Sequence, residues 1–182
     1  MRNSKILENW LNESTGPKQY LFLYSDFKAL FPNLSLSAFK TLLSRSVKNG
    51  LLERICKGVY AYKEHISPGG LILFHVAALM RSNHFNYITL ETLLSESGVI
   101  SQIPINRITI MSSGRSLTLS CGKYGTIEFI HTDRKPKDLA AFLHYDSLLS
   151  MWKASVELAI EDMKNTHRNL DLIDWEVVRE LI

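Results

Sequence analysis

A chain of 182 residues, 46% hydrophobic and 21% charged, has room for one large domain or two small ones, which excludes a long modular enzyme. Its two cysteines, Cys56 and Cys121, stand far apart and follow no metal-ligand spacing, which excludes a cysteine-stapled or zinc-finger scaffold and predicts reduced thiols in a cytoplasmic protein. The formal charge of +3 is unevenly spread: residues 1–64 hold ten Lys and Arg against five Asp and Glu, whereas 65–182 hold eleven against thirteen, so a polyanion is the expected partner of the first part only.

In chain order, Ile6, Leu7, Trp10 and Leu11 have the spacing of a short first helix, ended by Gly16-Pro17. Ser25 is the expected N-cap of a second helix over Asp26 to Phe31, stopped by Pro32. A third helix is predicted from Ser35 or Ser37 to Asn49, with Leu36, Phe39, Leu43 and Val47 as its apolar stripe and Gly50 closing its C-terminus. Residues 51–55 and 59–62 then read as two short strands around a tight turn through Cys56-Lys57-Gly58. Three short helices followed by a hairpin is the order of a winged helix-turn-helix. Its third helix is the recognition helix and its hairpin the wing.

Beyond the Ser67-Pro68-Gly69-Gly70 breaker, Leu71 to Arg81 is apolar on nearly all sides and reads as a buried core helix, too short to cross a bilayer. Thr89 is the expected cap of a helix running to Ser97 and closed by Gly98. Ile105 to Met111, Ser116 to Cys121 and Thr126 to His131 read as an antiparallel meander, with Leu117, Leu119 and Cys121 on its dry face. After the Asp133 to Asp138 connection, helices are expected to resume. Leu148 or Leu149, Trp152, Val156, Ala159 or Ile160, and Met163 give one stripe, and Lys153 and Glu157 an i,i+4 pair on the other face. Asp174 is the expected cap of a last helix with Trp175, Val178, Leu181 and Ile182 along one side. The reading is an α+β chain: a winged helix-turn-helix over 1–64, then a mixed helix and antiparallel-sheet domain with C-terminal helices over 65–182. Met1 to Asn12 carries Glu8 and lacks an apolar core and a cleavage site, so no signal peptide and no membrane association are expected.

With the apolar stripe set aside, the third helix leaves Ser37, Lys40, Thr41, Ser44, Arg45 and Lys48 toward solvent, with no acid among them. Hydroxyls and ammonium groups can reach phosphates, and Arg45 can pair with guanine O6 and N7. Arg54 and Lys57 on the hairpin would meet the adjoining backbone. A bland reading stands beside this, since Lys and Arg favour helices and are exposed on most of them. The histidines His65, His75, His84, His131, His144 and His167 form no HExxH, HxH or His-Cys group, and no GxSxG, P-loop or GxGxxG occurs, so neither catalytic residue, metal nor cofactor is predicted. His75 reads as a packed core histidine, and His144-Tyr145-Asp146, placed on a helix, as side chains pointing different ways.

The run Phe27 to Tyr62, through Leu36-Ser37-Ala38-Phe39, Gly50-Leu51-Leu52-Glu53-Arg54 and Lys57-Gly58-Val59-Tyr60, resembles the N-terminal winged helix of AbiEi-type antitoxins. Tyr87 to Gly98, Ile108 to Met111, Ile127 to His131 and Met151 to Ala159 are similar to that family's second domain, which is short here. The resemblance implies an antitoxin and autorepressor of a type IV toxin-antitoxin (abortive infection, phage defence) operon. It would bind double-stranded promoter DNA through Ser37, Lys40, Thr41, Ser44, Arg45, Lys48, Arg54 and Lys57, and counteract a nucleotidyltransferase-fold toxin through residues 65–182. Two rivals stay open: a ligand-sensing winged-helix regulator with a pocket near the meander, and an enzyme using His131 or His144 as general base.

Overall fold

The computed structural model describes residues 2–16, 19–66, 70–101 and 106–182. Pro17, the breaker residues Ser67, Pro68 and Gly69, and Ile105, the expected start of the first meander strand, lie outside the described residues. The chain mixes helices and strands and divides into two compact units, Met1–Ile72 and Leu73–Ile182.

In the first unit, α1 (Arg2–Ser14) is longer than its apolar spacing suggested. Leu7 and Leu11 face the core while Ile6 is 40% exposed. The short strand β1 (Leu21–Leu23), unforeseen in the sequence, leads into α2 (Tyr24–Leu30). Ser25 is not the cap of α2; the Asp26 carboxylate reaches back to accept from the Leu23 amide at 2.8 Å. The helix α3 (Leu36–Lys48) opens on Ser35, whose hydroxyl accepts from the Ala38 amide at 3.2 Å, and ends ahead of Gly50 at φ +79°. Strands β2 (Leu52–Cys56) and β3 (Val59–Tyr62) form a hairpin whose tight turn needs Gly58 at φ +83°. β1 adds to β3 on the other side, so the sheet order is β1-β3-β2, antiparallel throughout.

The core of this unit gathers Leu7 and Leu11 of α1, Phe22, Phe27, Phe39, Leu43, Leu52 and Tyr60. Trp10 and Phe27 both pack against Phe22, with ring centroids 5.1 and 5.6 Å away. The stripe of α3 is shifted from the expected one. Leu42 and Ser46 are buried with Phe39 and Leu43, Val47 is half-buried, and Leu36 in the first turn is 57% exposed. Ser46 is tolerated inside because its hydroxyl donates to the Leu42 carbonyl.

The second unit is built on a six-stranded sheet, order β6-β7-β5-β4-β9-β8. Its strands are β4 (Asn86–Ile88), β5 (Arg107–Ser112), β6 (Leu117–Ser120), β7 (Thr126–His131), β8 (Leu143–Asp146) and β9 (Met151–Ala154). The expected antiparallel meander is corrected: β7 lies between β5 and β6 and runs parallel to β5, and β4 runs parallel to β9, so the sheet is mixed. The helices expected after Asp138 are corrected too. Pro136–Leu139 makes one helical turn, α6, and then come two strands, β8 and β9.

One sheet face is covered by α5 (Leu90–Glu96) and α7 (Val156–Asn165), which pack on Tyr87, Met111 and Ala154. The opposite face carries Ile88, Ile110, Ile127 and Phe129 in register. The helix α4 (Ile72–Met80) is not buried all round: Ile72, Leu73, Val76 and Ala77 are buried, while Phe74, His75, Ala78, Leu79 and Met80 are half-buried. His75 Nε2 lies 2.8 Å from the Leu148 carbonyl. The last helix, α8 (Trp175–Leu181), is capped as expected by Asp174, which accepts from the Glu176 and Val177 amides. Of its expected stripe only Val178 is buried; Trp175, Leu181 and Ile182 are about half exposed or more. Among the described residues no helix is long and apolar enough to cross a membrane.

Candidate functional site

Ser37, Lys40, Thr41, Ser44, Arg45 and Lys48 are all exposed on α3, and Arg54 and Lys57 are exposed on the hairpin. The reason is local. With Phe39, Leu42, Leu43 and Ser46 turned inward and Val47 half-buried beside them, a 3.6-residue period leaves the other polar positions of α3 outside. Among the described residues none of the five cations Lys40, Arg45, Lys48, Arg54 and Lys57 is in an ion pair, so their charges are available to a ligand. Arg45 and Lys48 also sit in the last turn of α3, where a cation complements the helix dipole. The Thr41 hydroxyl is already engaged, donating to the Ser37 carbonyl at 2.9 Å.

The helix and the hairpin meet at a cleft of about 290 Å³ lined by Tyr24, Lys40, Leu43, Ser44, Val47, Arg54 and Tyr60. Three of the predicted residues, Lys40, Ser44 and Arg54, are thus brought together from two elements. Ser37, Thr41, Arg45, Lys48 and Lys57 are not among its lining. Arg54 sits opposite Tyr60 in the β2–β3 ladder, just before the register slips between Arg54 and Cys56. That irregularity is a bulge, a device that re-aims side chains, and Arg54 Nε makes only a long 3.4 Å bond to the Cys56 carbonyl. Tyr24 and Tyr60 were missed in the sequence. Tyr60 belongs to the Lys-Gly-Val-Tyr segment already singled out, but no local pattern marks Tyr24, the first residue of α2. Chemically, the cleft offers an ammonium, a guanidinium and a hydroxyl beside two tyrosines and two aliphatic side chains, a donor set that suits phosphate oxygens.

In the second unit, His131 Nδ1 lies 3.0 Å from the Gly114 carbonyl and Nε2 lies 3.0 Å from Asp133 Oδ1. Two acceptors favour the doubly protonated ring, and its pKa is raised by the Gly114 carbonyl first and Asp133 second. His144, Tyr145 and Asp146 are on strand β8 rather than a helix, and strand alternation turns Tyr145 away from its neighbours. The expected stripe from Leu148 to Met163 is likewise broken. Trp152 is 42% exposed on β9 and Leu148 is 62% exposed, whereas its alternative Leu149 is buried, Val156 is half-buried, and Ala159, Ile160 and Met163 of α7 are core. Lys153 is 8% exposed and pairs with Glu96, with Asp146 Oδ2 at 3.9 Å, instead of with Glu157.

A second cavity, of about 190 Å³, is lined by Arg81, Ser82, His84, Asn86, Tyr145 and Trp152 among others. Arg81 is held over the Phe129 ring and donates to the Arg115 carbonyl at 2.7 Å; a Cβ on Gly114 would overlap its guanidinium. Among the described residues no three His, Cys, Asp or Glu side chains gather as metal ligands. No protein-family model matches the chain, and no curated protein matches it significantly.

Proposed function

We propose that the first unit is a winged helix-turn-helix that binds double-stranded promoter DNA, with α3 in the major groove and the β2–β3 hairpin as its wing on the phosphate backbone. The observation that carries the reading is the convergence of Lys40 and Ser44 of α3 with Arg54 of the hairpin on one exposed cleft. It is supported by the element order, three helices with a sheet β1-β3-β2, and by a 13-residue α3 that contains no acid. In this reading Arg45 reads guanine, the hydroxyls and ammonium groups of Ser37, Lys40, Thr41, Ser44 and Lys48 reach phosphates, and Arg54 and Lys57 hold the adjoining backbone.

For the whole chain, the reading is a promoter-binding autorepressor and antitoxin without a catalytic step, acting in the cytoplasm against a nucleotidyltransferase-fold toxin. This part rests on the resemblance of Tyr87 to Gly98 and the segments after it to the second domain of AbiEi-type antitoxins. The test is a titration of the full chain against its own upstream DNA at several salt concentrations, beside growth rescue on co-expression with the adjacent gene. Binding that falls steeply with salt, with rescue, supports both halves. Absence of binding at low salt overturns the first, and unrescued toxicity the second.

A second reading is favoured by the cavity of Arg81, His84, Tyr145 and Trp152: a winged-helix regulator whose second unit takes a small ligand. A transporter or metabolic gene beside this one, in place of a nucleotidyltransferase, would select it.

A further inference from the structure

Strand β6 forms one edge of the six-stranded sheet, and among the described residues nothing pairs with its outer side. Edges of this kind are ordinarily guarded by a charge, a proline or a bulge. The opposite edge strand, β8, carries His144 and Asp146. By contrast β6 reads Leu117-Thr118-Leu119-Ser120, without charge or proline, and Leu117 is 44% exposed.

The polarity of this edge follows from the hairpin that joins it to β7. The Cys121 amide donates to the Gly125 carbonyl, and Ser120 stands opposite Thr126. Ladder alternation then turns the backbone groups of Leu119 and Leu117 toward β7 and those of Thr118 and Ser120 outward. These outward residues sit within Ser116-Leu117-Thr118-Leu119-Ser120, which reads the same in both directions about Thr118.

We propose that β6 is a homodimer edge, pairing antiparallel with β6 of a second copy about a two-fold axis at Thr118. Thr118 then faces Thr118 of the second copy in a hydrogen-bonded pair that uses the outward N–H and C=O groups, and Ser116 faces its Ser120. Leu117 faces Leu119 of the second copy on the sheet face that already carries Phe129 and Ile127, extending that apolar layer across the axis. Hydroxyl pairs of Thr with Thr, and apolar pairs, are favourable cross-strand neighbours. In this register Arg115 meets Cys121 and Lys123 meets Ser113 of the other copy, so no like charges oppose. A partner strand of a different protein gains nothing from the symmetry of this segment, whereas a second copy satisfies every position of it at once. The proposal is independent of the nucleic-acid reading and is tested without DNA.

The experiment is sedimentation velocity on the full chain over a concentration series, with a cross-linking series under mild oxidant. The wild type is expected to dimerise, and Thr118→Lys and Thr118→Pro to weaken association by about tenfold or more, because the first opposes two ammonium groups and the second removes the outward N–H without touching the β7 ladder. Thr118→Cys is expected to form a covalent dimer, since residues facing each other in a hydrogen-bonded pair have Cα atoms about 5.5 Å apart, within disulfide reach. Leu117→Cys alone is expected to stay uncrosslinked, and a mixture of Leu117→Cys and Leu119→Cys chains to crosslink. A wild type that is monomeric at the highest attainable concentration overturns the proposal. So does a dimer unaffected by both Thr118 substitutions while their unfolding curves match the wild type, or crosslinking at Leu117→Cys in place of Thr118→Cys.

Discussion

The Thr89 hydroxyl donates to Asp162 Oδ2 at 2.8 Å, tying the residue ahead of α5 to the middle of α7 across 73 positions. Both residues are fully buried. The chain enters α5 through Leu90 at φ +55°, and the Thr89 side chain makes no capping bond to the helix it precedes. Arg134 Nη1 stands 3.4 Å from the other Asp162 oxygen. Burial holds the Asp162 carboxyl above the usual Asp range despite Thr89 and Arg134, which pull it down, and burial with the Asp162 charge raises the Tyr87 phenol.

Thr89→Val is therefore expected to cost about 1–3 kcal/mol at pH values where the Asp162 carboxylate is ionised, because the buried anion then loses a donor. The folded state holds the Asp162 proton more tightly than the unfolded one, so this group lowers stability as pH rises from the ordinary Asp value through the raised folded value. The substitution raises that folded value further. Its destabilisation, read from urea unfolding, should be largest above the raised value and shrink in acid. A deficit equally large at every pH would remove the carboxylate from the explanation.

Glu128 behaves in the opposite sense. Burial pushes its pKa up, but Arg107 at 2.7 Å and Arg168 at 2.9 Å outweigh this and bring it below the ordinary Glu range. Its contribution is present above the unfolded value and lost as pH falls through the lowered folded one. Glu128→Gln should destabilise the protein at neutral pH and match the wild type in strong acid, in a lower pH window than the Thr89 effect. Paired urea unfolding series on the two variants measure both windows.

Arg45→Ala is expected to weaken binding to the native promoter by about 1–3 kcal/mol and to relax sequence preference, whereas Lys57→Ala should weaken all sequences alike and reduce the salt slope by about one. Anisotropy titrations with specific and scrambled duplexes separate the two. Equal losses on both duplexes for Arg45→Ala would move that residue from the bases to the backbone.

Gly125→Ala should be markedly more destabilising than Gly58→Ala. Both glycines have positive φ, which costs an alanine about 1–2 kcal/mol. At Gly58 the added Cβ meets open space, but at Gly125 it would overlap the Asn106 carbonyl oxygen, whose bond to the Thr126 amide closes the end of β7. Thermal unfolding of the two variants provides the comparison.

The first unit was largely legible. Ser35, the period of α3 and Gly50 are signals within one short window, and they suffice to place Lys40, Ser44 and Arg45 outside. The strand β1 was not legible: Leu21-Phe22-Leu23 has no alternation to betray it, and it exists because β3 offers it an edge. The cleft lay between these cases. Its cations could be named from the sequence, but its tyrosines come from separate elements and are marked only by being brought together.

The sequence by itself determined a mixed chain with a basic first part, the helix α3 and the hairpin after it, because capping, helical period and turn glycines act over a few neighbouring residues. The strands β5, β6 and β7 were also read from alternation, but the tertiary structure alone decided the order of the second sheet and its strands β4, β8 and β9. Leu148, Trp152 and Val156 carry a spacing that suits a helix, but β9 finds Tyr87 and Ile88 as parallel partners more than sixty positions earlier. Period two then sends Lys153 inward to Glu96 and leaves Trp152 outside. Burial there depends on which strands are neighbours, a long-range choice that no local pattern encodes.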